Sequence, residues 1–375
     1  MKQQKNTLRS AAVWAIGAGA AVGAAAVLLA RLGNPPNMGI CSACFQRDTA
    51  GGLGLFSGPG PIQYLRPEIP GFLLGAFGAA LLFREFRSRG GSSPALRFVI
   101  GAFMMVGALV FLGCPIRLMD RLAAGDWSSG GVGLLGLLAG VAFGSFCIRR
   151  GFSLGPNRDL KPLSAPIVPL LGAGLLVYIL VLAFGAGGDP RGALETKFHA
   201  PLLASLGAGL LLGFLGQRSR FCSTGGFRDL ILWRDATLFK GYIALIVVVV
   251  AGNILVDLLW PCPGERKLFE WGAAPLAHGV HLWNFLGMAL VGLGATLAGG
   301  CPFRQMIASS QGNSDAAMTV MGLLFGAAFC HNFALAAAPA KADAVGGPGT
   351  AGMVAVIVGL VVLAGIGLFC SDRKA

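Results

Sequence analysis

Two short patterns each occur twice in the chain, and each sets a thiol near an arginine. Cys41 and Cys222 open C-S-x-x-x-x-R-D, which ends on Arg47–Asp48 in one copy and Arg228–Asp229 in the other. Cys114 and Cys301 sit in G-C-P-x-R, with Gly113, Pro115 and Arg117 around the first and Gly300, Pro302 and Arg304 around the second. A thiol offers a soft, polarisable sulfur and a weak S–H donor. It suits a substrate that is itself soft, such as a sulfur or selenium compound. A guanidinium adds a permanent charge and a rigid donor fork for an anion. Glycine is permissive and proline removes a backbone donor, so Gly-Cys-Pro interrupts a helix at the thiol. Taken singly, such a site reads as a loop start with an inert cysteine and an arginine reaching for lipid headgroups. Its recurrence favours function and makes Cys41, Cys114, Cys222, Cys301, Arg117 and Arg304 the candidate substrate path. The Arg-Asp pairs are expected to orient the loops rather than to touch substrate.

The remaining reactive residues say less. Cys41 and Cys44 have C-x-x-C spacing, which leaves a redox pair open as an alternative. Cys147, Cys330 and Cys370 lie in apolar runs and read as packing, and Cys262 sits in a loop with no evident partner. No second C-x-x-C exists and the four histidines show no ligand spacing, so no metal is expected. His278 and His281 read as interfacial anchors. Asp257 is the one acid inside a confident apolar run and is a weak candidate for proton coupling. Without a P-loop lysine motif the chain is not expected to hydrolyse ATP. No enzyme activity and no cofactor are expected.

The elements that position these residues are membrane helices. Of 375 residues 55% are hydrophobic and only 12% charged, with mean hydropathy +0.73, whereas soluble domains carry about 25% charged residues. The apolar residues fall into runs of about 18 to 23, long enough to cross a bilayer as helix. The fold class is therefore all-α polytopic membrane protein. The 59 glycines fit close helix contacts in lipid. A net charge of +13 could suggest nucleic acid, but Lys and Arg also concentrate in cytoplasmic loops, so no nucleic-acid partner is expected. The N-terminal run lacks a clear cleavage site and reads as a retained first span.

Ten spans are expected, at 11–32, 69–86, 95–113, 130–149, 164–186, 199–217, 238–260, 277–300, 316–337 and 348–370. Positive charge gathers in alternate connections: Lys2, Lys5 and Arg9, then Arg84 to Arg97, Arg149 to Lys161, and Arg218 to Lys240. The opposite loops are nearly balanced, with Asp189, Arg191, Glu195 and Lys197 in one and Glu265, Arg266, Lys267 and Glu270 in the other. The positive-inside rule then places both termini in the cytoplasm, and the membrane expected around the chain is the lipid of a bacterial inner membrane.

The motifs belong to a longer repeat. Shifted by 187 residues, RFVIGAFMMVGALVFLGCPIRLM from Arg97 lies over NFLGMALVGLGATLAGGCPFRQM from Asn284. GLLAGVAF at Gly136 matches GLLFGAAF at Gly322, and CSACFQRD matches CSTGGFRD. Two five-span repeats are expected, 1–163 and 164–375, forming one membrane domain. An odd span count inverts the second repeat, an architecture in which the substrate path lies between the halves. Broken backbone at membrane depth is tolerated where it is buried or lines a cavity. The motif segments therefore read as re-entrant, with Cys41 and Cys114 entering from outside and Cys222 and Cys301 from the cytoplasm.

At GFLGQRSRFCSTGGFRDLIL and LAGGCPFRQM the chain resembles the YeeE/YedE family of membrane proteins, and its G-C-P-x-R form is similar to the YedE branch associated with selenium metabolism. The resemblance runs through both repeats. It implies a compact, channel-like transporter with loops dipping in from both faces. It also implies three path cysteines that pass thiosulfate on through S–H contacts, at positions matching Cys222, Cys301 and Cys114, with Cys41 in the symmetric fourth place. Thiosulfate transporters usually carry small polar residues after Gly-Cys, where this chain has proline and then an arginine. That departure favours a related, selenium-bearing substrate. The selenium branch further implies a small cytoplasmic sulfur carrier of the TusA type as partner. The leading expectation is a permease for a small sulfur or selenium species. The alternatives are a membrane thiol redox protein using Cys41 and Cys44, and a scaffold that recruits the sulfur carrier through basic loops.

Overall fold

The computed structural model describes residues 2–58, 62–185, 193–194, 199–263 and 266–370, with side chains from residue 10 onward. Asp189, Arg191, Glu195, Lys197 and Glu265 of the charge comparison lie outside the described residues, as do the side chains of Lys2, Lys5 and Arg9.

Each expected span is a helix. The long elements are α1 (Lys2–Leu32), α3 (Glu68–Leu82), α4 (Pro94–Phe111), α6 (Ser129–Arg149), α7 (Ile167–Phe184), α8 (Leu202–Ser219), α10 (Thr237–Leu259), α11 (His281–Ala298), α13 (Ser314–Asn332) and α14 (Thr350–Phe369). Among the described residues nine apolar segments are long enough to cross a membrane, and the shorter α3 is the tenth. The chain is an all-α, multi-pass membrane protein. The second span falls short of its expected length. Its 15 residues cover about 22 Å, because the chain turns left-handed at Arg84 (φ 56°).

Four short helices interrupt this series: α2 (Ser42–Gly52), α5 (Pro115–Ala123), α9 (Ser223–Trp233) and α12 (Pro302–Ser310). They are the motif segments, each of 9 or 11 residues. The order of long and short helices in α1–α7 is repeated in α8–α14. A two-stranded antiparallel ribbon, β1 (Arg89–Gly90) with β2 (Arg158–Asp159), lies at the arginine-rich end of the bundle.

The main interfaces are α1 with α10, α3 with α8, α4 with α13 and α6 with α11. Each joins a helix of the first seven to one of the last seven, so the halves interlock rather than abut. Glycines make two of these contacts in matching ways. A Cβ on Gly136 or Gly140 of α6 would run into the backbone oxygen of Phe285 or Ala289 on α11. A Cβ on Gly322 or Gly326 of α13 would run into that of Phe98 or Ala102 on α4. Small residues four apart let backbones meet, which is how helices associate where no hydrophobic force draws them together.

Candidate functional site

Each of the four motif cysteines is the N-cap of a short helix. Cys41 and Cys222 cap through sulfur: Cys44 N donates to Cys41 Sγ at 3.4 Å and Gly225 N to Cys222 Sγ at 3.2 Å. Cys114 and Cys301 cap through backbone, their carbonyls accepting from Leu118 N at 2.9 Å and Gln305 N at 3.0 Å. In both G-C-P motifs the proline takes the first helical turn, where its missing N–H costs nothing. The preceding glycine leaves room for the arginine to fold back. A Cβ on Gly113 would meet Arg117 Cδ at 2.9 Å, and one on Gly300 would meet Arg304 Cγ at 2.8 Å. The helix before each motif ends left-handed at matching residues, Leu112 (φ 63°) and Gly299 (φ 83°).

The caps meet in two pairs. The side chains of Cys41 and Cys114 interact, as do those of Cys222 and Cys301, and Cys301 N donates to Cys222 Sγ at 3.3 Å. All four residues are buried, none more than 5% exposed, and all nine cysteines are free thiols. Each pair therefore brings two helix N-termini to one point, and unsatisfied N–H groups with the positive end of the helix dipole favour an anion there. Ser42 and Ser223 occupy the same place in the two copies of the motif. Both are buried, and their hydroxyls lie against the thiols of Cys114 and Cys301. No group of three or more His, Cys, Asp or Glu suited to a metal occurs among the described residues.

The two motif arginines differ. Arg117 is buried and every nitrogen of its guanidinium is engaged. Nε donates to Asn37 O at 2.9 Å, Nη2 to Leu276 O at 3.3 Å, and Nη1 to Leu112 O and to Cys44 Sγ, the latter at 3.7 Å. It staples three loops, and it is not the snorkelling interfacial arginine of the ordinary reading. Arg304 is half-buried and makes one long hydrogen bond, from Nη1 to Gly216 O at 3.5 Å. The Arg-Asp pairs differ in the same way. Arg47 and Arg66 both hold the buried Asp48, at 2.5 and 2.7 Å, and Arg66 also bonds Asn34 Oδ1 at 3.1 Å. Arg228 bonds its neighbour Asp229, at 2.8 Å near the surface.

Several partners of the site carry no motif. Arg66 is fully buried and stacks on Phe45 at 4.5 Å. The Tyr242 hydroxyl on α10 donates to Pro115 O at 2.9 Å, holding the first turn of α5. Phe72 on α3 packs edge-on against Phe303 on α12 at 5.3 Å, the matching contact in the other half. Two sequence expectations are corrected. His278 is buried rather than interfacial, with Nε2 2.8 Å from Val110 O. Asp257 is a loop cap, its carboxylate accepting from Leu268 N at 2.9 Å and Phe269 N at 2.8 Å. Cys147 and Cys330 are buried packing residues, as expected, and Cys262 lies 4.0 Å from Arg266 Nη2.

A family model described as sulphur transport matches residues 218–373, which contain Cys222, Arg228, Asp229, Cys301 and Arg304. The chain is 35% identical to the thiosulfate transporter TsuA of Escherichia coli (strain K12) over 100 residues, 27% of this chain and 26% of that protein. It is 37% identical to the thiosulfate transporter TsuA of Spirochaeta thermophila over 97 residues, 25% of this chain and 26% of that protein. The aligned segments thus span about a quarter of each relative's length. Over its second half, with the cysteine motifs that lie there, the chain is thus similar to sulphur-transport proteins.

Proposed function

We propose that the chain is an inner-membrane permease, not an enzyme, for a small sulfur- or selenium-containing anion. The observation that carries this reading is the meeting of four cysteine-capped helix N-termini in two pairs, each beside a buried serine hydroxyl. Half-helix N-termini aimed at anionic groups are a recurrent transporter device. Weak S–H donors suit passage, since conduction needs sites that bind a substrate and also release it. Cys114, Cys222 and Cys301 are the successive contacts, with Cys41 completing the first pair. Arg304, half-buried and barely bonded, is the arginine that reads the anion, while Arg117 holds the backbone of the opposite pair.

In this reading the halves are inverted repeats with the divide after α7, in 186–198, instead of between 163 and 164. Only that divide gives five long helices and two short ones on each side. Both termini lie on the cytoplasmic side with the arginine-rich connections, and a TusA-type sulfur carrier docks there. The proline after Gly-Cys in both G-C-P-x-R motifs favours a selenium-bearing substrate over thiosulfate.

Uptake of labelled thiosulfate, selenite and selenide in a strain lacking its own routes tests the proposal. Accumulation of at least one of them above the level of cells without the protein is expected, with a selenium species ahead of thiosulfate. Inserted protein that accumulates none of the three contradicts it.

A further inference from the structure

A groove of about 940 Å³ lies between α7 and α13. One wall is α7 from Ile167 to Tyr178, and the facing wall includes Met321 and Leu324 of α13. Twelve residues of helix cover about 18 Å, more than half the thickness of a bilayer core. The groove exists because the last helices of the two halves dock differently. α14 packs against α11, α4 and α6, whereas α7 rests mainly on α3. A recess this deep on a lipid-facing helix, with walls almost wholly apolar, is a place for hydrocarbon rather than water.

One end of the groove is polar and basic. There β1, β2 and the turn after α12 form a collar, with Arg87 N bonded to Gln311 O at 3.1 Å, Arg89 N to Gly312 O at 3.0 Å and Leu160 N to Ser88 O at 3.1 Å. Gly91, Leu160, Ser164 and Asn313 of this collar line the groove. Arg87, Arg89, Arg158 and Lys161 stand among them in sequence, and no ion pair engages any of the four among the described residues. Three acids lie nearby, and Glu85 already accepts from Gln217 Nε2 at 2.9 Å. Asp159 is exposed, and Asp315 is already taken by Gly91 N at 2.9 Å, by Ser92 and by Arg97 at 3.6 Å. The balance at this end is positive.

We propose that an anionic phospholipid occupies this groove, its acyl chains between α7 and α13 and its headgroup phosphate on the collar of Arg87, Arg89 and Lys161. The groove is walled in part by Gln46 and Thr49 of α2 and by Met306 and Ser309 of α12. The lipid therefore packs on two of the four cysteine-capped helices and supports their position from behind.

The test uses the full chain reconstituted in phosphatidylcholine vesicles doped with phosphatidylglycerol or with phosphatidylcholine carrying a photoreactive group in one acyl chain. After illumination, adducts are mapped by mass spectrometry of peptides. Phosphatidylglycerol adducts are expected to concentrate on 167–178 and 321–324, relative to the exposed face of α14 around Val361, and phosphatidylcholine adducts are not. Gly174 lines the groove, and a Cβ there meets nothing within 4 Å. Gly174→Phe should fill the space and remove the groove adducts while leaving those on α14. Replacing Arg89 and Lys161 by Gln should cut the preference for phosphatidylglycerol by about fivefold per cation. Equal labelling of groove and α14, equal labelling by the two lipids, an unchanged pattern in Gly174→Phe, or a crosslink to a second copy at the groove would each overturn the proposal.

Discussion

In the first half the Arg47–Asp48 pair is buried under Arg66, while in the second its counterpart Arg228–Asp229 is one-quarter and one-fifth exposed. The arginines of the G-C-P motifs follow suit: Arg117 is enclosed with every nitrogen bonded, and Arg304 is half-open with one long bond. One motif can thus be built in two physical regimes. A buried charge costs several kcal/mol unless its partners are complete. The first half meets that demand with two arginines on one aspartate and with three loop carbonyls on Arg117. The second half leaves its charges near water, where they need fewer partners and keep more freedom to meet a ligand. On this account the Cys41–Cys114 end is the rigid part of the path, and the Cys222–Cys301 end carries the arginine available to substrate.

Substitutions can break this contrast. The largest expected effect is at Asp48. Asp48→Ala leaves two buried guanidinium groups without their anion and should destabilise the protein by about 3–5 kcal/mol. Asp229→Ala should cost about 1 kcal/mol or less. Thermal unfolding in detergent compares them, and equal losses would erase the distinction. Next is Arg117→Gln, which gives up charged hydrogen bonds worth about 1.5–3 kcal/mol each before relaxation. Arg304→Gln should leave the unfolding temperature nearly unchanged and lower uptake instead. A matched control comes from the glycine contacts. Gly140→Val and Gly326→Val should each cost about 1–3 kcal/mol through overpacking, with similar size in both halves because the two contacts correspond. The smallest expected effect is Tyr242→Phe, about 1 kcal/mol for one hydrogen bond to Pro115 O.

What the sequence made legible was local chemistry. Apolar runs of helical length placed all ten spans, and Gly-Cys-Pro placed α5 and α12, because proline and glycine act on their own backbone. The serine–thiol motifs likewise located α2 and α9. Partners brought together by folding carried no local mark. Arg66 reaches Asp48 across 18 positions and Tyr242 reaches Pro115 across 127, and nothing in FLLGAFG or KGYIALI distinguishes a wedge beside a site from an ordinary apolar face. His278 looked interfacial because it begins a span, yet it is tied to Val110 at the end of α4. The unequal docking of α7 and α14 was hidden as well, since two runs of equal hydropathy do not say which neighbour each will choose.

The central claim is that the N-cap thiols form the path. Its most direct test is uptake of labelled substrate into vesicles holding the purified protein, with Cys114→Ser, Cys222→Ser and Cys301→Ser compared at equal insertion. The account predicts that each replacement abolishes uptake while the unfolding temperature stays near that of the unmodified chain. Uptake that survives in all three would contradict it.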